Sequence, residues 1–156
     1  MSSAEATDSP QVKVVRSFLE GIDKRDVDRV AKLLHKDYHQ IAYPRSMGRA
    51  VENKDEWLQQ IKGVMDLWTE DCEASYSTIH SIIEVPGKVV VHFTGKAETS
   101  VGMEIDREML AIAHIVTDED GSLKIKDLEN FIDSKAYLDF SKAAAAAKAN
   151  LQSCAA

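Results

Sequence analysis

The chain has 156 residues, 44% of them hydrophobic, and 19 basic against 26 acidic side chains give it a formal charge of −7. That length suits one domain with its own core, and the composition is that of a folded chain rather than a disordered one. The acidic balance excludes no nucleic acid or membrane contact outright but supplies neither with the basic footprint it needs, so neither is expected as a partner.

Residues 1–9 read as a flexible lead-in, without the basic start and apolar stretch of a secretory leader. Ser9-Pro10 predicts an N-cap followed by proline at the first helical position. Val12, Val15, Phe18, Leu19 and Ile22 then recur at helical spacing and form one apolar stripe, with Gly21 a tolerated weak point near its end. Asp23 or Asp26 can cap a second helix that buries Val27, Val30, Leu33 and Leu34. A short strand over 38–43 is stopped by Pro44, and 45–52 reads as a loop. Asn53 with Glu56 three residues on is close to a capping box. It opens a third helix whose apolar positions are Trp57, Ile61, Val64, Met65 and Trp68.

Beyond that helix the period changes to two. Runs at 73–85, 88–99, 107–117 and 123–132 are rich in β-branched and aromatic residues, with turns at Pro86-Gly87, Val101-Gly102 and 118–121. They predict an antiparallel meander, its 107–117 strand apolar on both sides and therefore central and covered twice. A last helix begins near Ser134. Its alanine run at 143–147 has high helix propensity but little to bury, so 141–156 is expected as a helical or frayed tail on a domain spanning 10–140. Helices first and strands after imply an α+β fold, three N-terminal helices packed on one face of a curved antiparallel sheet. No apolar run approaches the roughly 20 residues of a membrane span. The two cysteines, Cys72 and Cys154, form no disulfide framework, and a reducing, cytoplasmic setting is expected.

This layout, with the Asp23-Lys24-Arg25-Asp26-Val27-Asp28 stretch between the first helices and Asp120-Gly121 before the last strand, resembles the nuclear-transport-factor-2-like superfamily. That superfamily includes SnoaL-like cyclases, ketosteroid isomerase and scytalone dehydratase. The resemblance implies a cone-shaped fold, a pocket between the concave sheet face and the helices, and a homodimer formed through the sheet. The isomerase groups are missing: Phe18 stands where the family's tyrosine is, Tyr43-Pro44 where its base aspartate precedes a proline, and Ala113 near its protonated aspartate. The dehydratase is matched in part. Ile41-Ala42-Tyr43-Pro44-Arg45-Ser46 is similar to its tyrosine-bearing stretch, Thr78-Ile79-His80 to the context of its first catalytic histidine, and Asp23 to the aspartate closing its first helix. Its second histidine falls at Glu98, and its pocket serine and asparagine fall near Leu110 and Ile112.

His80, among Ile79, Ile82 and Ile83, is the candidate acid or base; the plain alternative is a hydrogen-bonded core histidine. Tyr43 is the candidate donor to a substrate carbonyl, or else a packing plug. Asp23 can orient a histidine or cap a helix. The pairing of His80 depends on the hairpin: a three-residue loop sets it opposite His92, a two-residue Pro86-Gly87 turn opposite Phe93. His92 and His114 are expected on the dimer side if they do not join the pocket. His35 and His39 straddle an element boundary, and no metal ligand set is expected. Phe18, Trp57, Ile61 and Met65, with Glu98 and His114, are the expected pocket lining. Together these imply a site for a small hydrophobic molecule of polyketide, terpenoid or steroid type, with no cofactor. Dehydration, isomerisation or cyclisation by acid–base chemistry is one expectation, and a non-catalytic binding or dimerisation module is the other.

Overall fold

The computed structural model describes residues 7–69, 76–100 and 102–154. Cys72, the first six residues and Val101 lie outside the described residues, as does the start of the strand predicted from 73. Helix α1 (Pro10–Asp23) begins as the sequence predicts, the Ser9 hydroxyl accepting from the Val12 N–H at 3.2 Å. Arg25 takes a left-handed turn, φ 56°, and Asp26 caps α2 (Val27–Leu33) by accepting from the Arg29 N–H at 2.9 Å. Asp26 therefore fills the capping role, and Asp23 is free for another.

Strand β1 (Leu34–Tyr43) starts four residues earlier than expected. After a short 3-10 turn at Arg45–Met47, Glu52–Asn53 forms a two-residue strand, β2, where a loop was expected. The reciprocal capping box of Asn53 and Glu56 opens α3 (Lys54–Met65), with bonds of 3.0 and 2.8 Å. The meander follows as β3 (Tyr76–Val85), β4 (Lys88–Glu98), β5 (Glu104–Thr117) and β6 (Leu123–Ile132), then α4 (Ser134–Cys154). Sheet order is β2-β1-β6-β5-β4-β3, with β1 parallel to β6 and every other pairing antiparallel. The fold is α+β, with a curved, unclosed sheet and the N-terminal helices packed on its concave face. No helix of the described residues is long and apolar enough to cross a membrane.

Two single-residue irregularities set which side chains face the helices. On β3 the pairing Val85↔Lys88 shows the two-residue turn, yet His80 does not sit opposite Phe93 as that turn alone would place it. The register slips between Ile79 and Ser81, leaving His80 as an unpaired bulge residue. A second slip, between His114 and Ile115, lets Ile125 and Leu128 both turn inward from β6. The core gathers Val12, Val15, Phe18 and Leu19 of α1 with Trp57 of α3 and Val89, Val91 and Phe93 of β4. The Phe18 and Trp57 rings stack at 5.6 Å, and Tyr38 leans on Trp57 at 5.7 Å. One expectation for β5 needs correction: it is central, but only its concave side is covered, and Leu110 on the other side is exposed.

Gly21 is a packing requirement rather than a tolerated weakness. A Cβ there would stand 2.8 Å from Cγ2 of Val30, a fully buried side chain that cannot give way. Gly21→Ala gains about 1 kcal/mol of helix propensity against roughly 1–3 kcal/mol of overpacking, so a lower urea midpoint is expected. A raised midpoint would show that α1 and α2 separate without cost.

Candidate functional site

A cavity of about 480 Å³ lies between the concave sheet face, α1, α3 and α4. Its floor is made of small residues at consecutive inward positions, Gly95 and Ala97 on β4 and Ala111 and Ala113 on β5, and its aromatic wall is Phe18, Trp57 and Trp68. Polar groups are few and grouped. Near the open end, Arg49 donates to Oε2 of Glu52 at 2.8 Å and to the Tyr137 hydroxyl at 2.6 Å, and Arg107 of β5 stands beside them. Burial lowers the pKa of Arg107, the neighbouring positive Arg49 adding to the effect against Tyr137. Of the other polar lining groups, Gln40 accepts from the Tyr38 hydroxyl behind the wall, and the Asn130 side-chain oxygen is buried without a hydrogen-bond partner.

Asp23 also lines the cavity. Its carboxylate accepts from the Ser77 N–H at 2.9 Å and the Ser77 hydroxyl at 2.8 Å. Burial nevertheless holds its pKa above the ordinary aspartate value, outweighing those two bonds, with Glu20 pushing the same way.

The structure brings only part of the expected constellation together. Asp23, Phe18, Trp57 and Ile61 line the cavity; Met65 instead packs in the core with Trp68, Ala97 and Ile105. His80, Tyr43, His114 and Glu98 are not on its wall. The bulge turns His80 to the outer face, where its Nε2 lies 3.0 Å from the Thr94 hydroxyl and its ring 4.9 Å from that of His92. Tyr43 shares the outward parity of His39 and Ile41. Its ring stacks on Phe131 at 4.7 Å, and its hydroxyl donates to Glu129 at 3.4 Å. Glu129 also contacts His114 Nε2 at 2.8 Å, and His92 meets Glu108 at 2.6 Å, so both histidines lie on the outer sheet face. Glu98 is an exposed strand end. Among the described residues no three His, Cys, Asp or Glu side chains are arranged to hold a metal.

Arg107 and Asn130, absent from the expected site, do carry a sequence signal. Two steps back from Met109 along the inward run Met109, Ala111, Ala113 stands Arg107, a charge on an apolar parity, and Asn130 interrupts Leu128 and Ile132 in the same way. Arg49 comes from a loop, Glu52 from the two-residue β2 and Tyr137 from the start of α4, and none carries such a signal.

A family model described as a SnoaL-like domain matches residues 15–126, most of the chain. The protein belongs to the SnoaL-like family. Similar solved structures of this SnoaL-like fold include the BvnE pinacolase from Penicillium brevicompactum, 19% identical over 93% of this chain and 97% of that one, TM-score 0.74. AusH from Aspergillus nidulans is 24% identical over 82% and 86%, TM-score 0.67. TerC, co-crystallised with polyporic acid, is 18% identical over 84% and 97%, TM-score 0.64. At these identities the likeness is one of fold. Comparison with curated proteins gave no match.

Because folding raises the Asp23 pKa, the protonated native form is favoured below the unfolded value, and that contribution is lost as pH rises through the raised native value. Asp23→Asn keeps a neutral hydrogen-bonding group without the titration. Its melting temperature relative to the parent is expected to be more favourable at pH 7 than at pH 4. A difference that is flat or reversed between those pH values would contradict this.

Proposed function

We propose that this SnoaL-like chain binds a small, largely apolar molecule in the cavity and turns it over by cofactor-free acid–base chemistry. The observation that carries the reading is the hollow itself. A space of about 480 Å³, lined mainly by aromatic and aliphatic side chains, with its polar groups gathered at a few points, is what a compact organic guest requires. Asp23 is the group proposed to move a proton. It lies on the wall, its two oxygens are oriented by Ser77, and its raised pKa brings proton uptake and release closer to neutrality. A pinacolase in one similar structure and polyporic acid bound in another are consistent with a guest of polyketide or terpenoid type and with lyase, isomerase or cyclase chemistry. His80 and Tyr43, on the opposite face, take no part in this reading.

The test is to fill the hollow. Ala111 is buried and points into it, so Ala111→Phe is expected to weaken N-phenyl-1-naphthylamine fluorescence binding roughly tenfold or more, about 1.4 kcal/mol, with the circular dichroism of the fold retained. Unchanged binding would place the probe elsewhere and remove the support for the site.

We further propose that a second copy covers the outer sheet face. Ile83, Leu110 and Phe131 are 65%, 39% and 44% exposed there. The polar side chains between them already have partners, His92 with Glu108 and His114 with Glu129, so covering the face leaves those groups hydrogen-bonded. Sedimentation velocity at micromolar concentration is expected to show a dimer that Phe131→Glu converts to monomer. A monomeric parent chain overturns this.

A further inference from the structure

The cavity is apolar, yet its charged groups do not cancel. Arg107 stands in the row Ser77, Gly95, Arg107 that crosses β3, β4 and β5 on the concave face. Gly95, its neighbour in that row, contributes no side chain, and the Met109 side chain lies against it, 3.3 Å from where a Cβ would stand. The guanidinium packs over the Phe140 ring at 6.0 Å, and among the described residues no carboxylate lies within ion-pair distance of it. Glu52 is taken up by Arg49 at 2.8 Å, and Asp23 accepts hydrogen bonds from the uncharged Ser77 at 2.9 and 2.8 Å. With Lys96 paired to Asp106 at 3.3 Å, the other charged side chains of the lining are Arg49, Arg107 and Lys148 against Glu52 and Asp23, which leaves a positive excess at a low-dielectric hollow. A desolvated cation without a counter-charge is costly, and it persists where a partner absent from the chain supplies the balance. The partner's chemistry follows from the group: a guanidinium offers a planar fork of donors that fits two oxygens sharing one negative charge. Arg49, held in place by Glu52 and Tyr137, flanks the same spot.

We propose that the guest is an organic oxyanion, a carboxylate or an ionised enol, whose charged oxygens sit at Arg107 beside the Arg49–Tyr137 pair while its apolar body lies along Phe18, Trp57 and Ile61. This rests on the reading of the cavity as a small-molecule site, and the experiment separates the two. 2-Naphthoate and 2-naphthamide share a shape and differ in charge at neutral pH; each is titrated into the protein by calorimetry. Naphthoate is expected to bind roughly tenfold more tightly or better. Arg107→Met is expected to abolish the preference, and Arg107→Lys, which keeps the charge but not the fork, to retain part of it. With its uncompensated cation removed, ligand-free Arg107→Met is also expected to melt no lower than the parent, which guards against a trivial loss of fold. Equal affinities in the parent, no naphthoate binding, or a preference that survives Arg107→Met would each overturn the proposal, even where N-phenyl-1-naphthylamine binds and the cavity reading stands. Failure of that neutral probe would count against the cavity reading instead.

Discussion

The bulge at His80 adds one residue to β3 that has no partner on β4, and every side chain between it and the strand's start changes face as a result. Continued from the Pro86-Gly87 turn without interruption, the register would set His80 opposite Phe93 and send both it and Thr78 into the cavity. With the slip, Ser77 and Ile79 take the inward places beside Gly95 and Phe93. Ser77 is then where its N–H and hydroxyl meet Asp23, and α1 is tied to the sheet by that carboxylate. One inserted residue thus exchanges an imidazole for a carboxyl–hydroxyl pair as the polar element of that wall.

The hollow depends on side-chain size as much as on curvature. Gly95, Ala97, Ala111 and Ala113 keep the sheet floor low, while Phe18 and Trp57, stacked at 5.6 Å, hold the helices at arm's length from it. Larger floor residues would fill the space and give an ordinary close-packed core. The C-terminal helix follows the same logic. Its alanine run has little apolar area to bury, as the composition suggests, but Ser141, Ala144 and Ala145 line the cavity, where small side chains let a helix close over an opening without occupying it. Ligand binding to such a hollow adds stability that the empty fold lacks.

Element order and type were legible because long periodic segments announce themselves: the α1 stripe, the capping box at Asn53 and strands β4 and β6 appear close to where the pattern puts them, while α3 ends at Met65, short of Trp68, and β5 starts three residues early at Glu104. So did the family. The facing of individual strand residues was not legible, because a bulge has no reliable sequence mark and inverts everything on one side of it. The turn at Pro86-Gly87 was among the weighed alternatives and formed, yet it did not decide where His80 points. Tyr43 failed for a simpler reason: Tyr38, Gln40 and Ala42 of the same strand take the inward parity, and proximity to a strand-ending proline says nothing about face. Arg107 was readable by that same parity, since it continues the inward alternation of Met109, Ala111 and Ala113. It is the first residue of the predicted 107–117 strand, at the edge of the apolar run rather than within it.

Charge placement connects the two ends of the cavity. Ser77, which holds Asp23, and Arg107 lie in one row two strands apart, about 9.6 Å between backbones at ordinary strand spacing. A guanidinium does not lose its proton at any ordinary pH, so the positive end is fixed. An ionised carboxylate facing it across an apolar gap would repel the oxyanion proposed to sit there. Burial acts against that: by raising the Asp23 pKa it favours the neutral, protonated carboxyl over a wider range of pH. On the proposed reading, the same desolvation that makes Arg107 seek an anion lets Asp23 keep its proton to higher pH than an exposed aspartate would. The low dielectric of the hollow thereby acts on both ends at once, favouring an anion beside Arg107 and an uncharged carboxyl at Asp23.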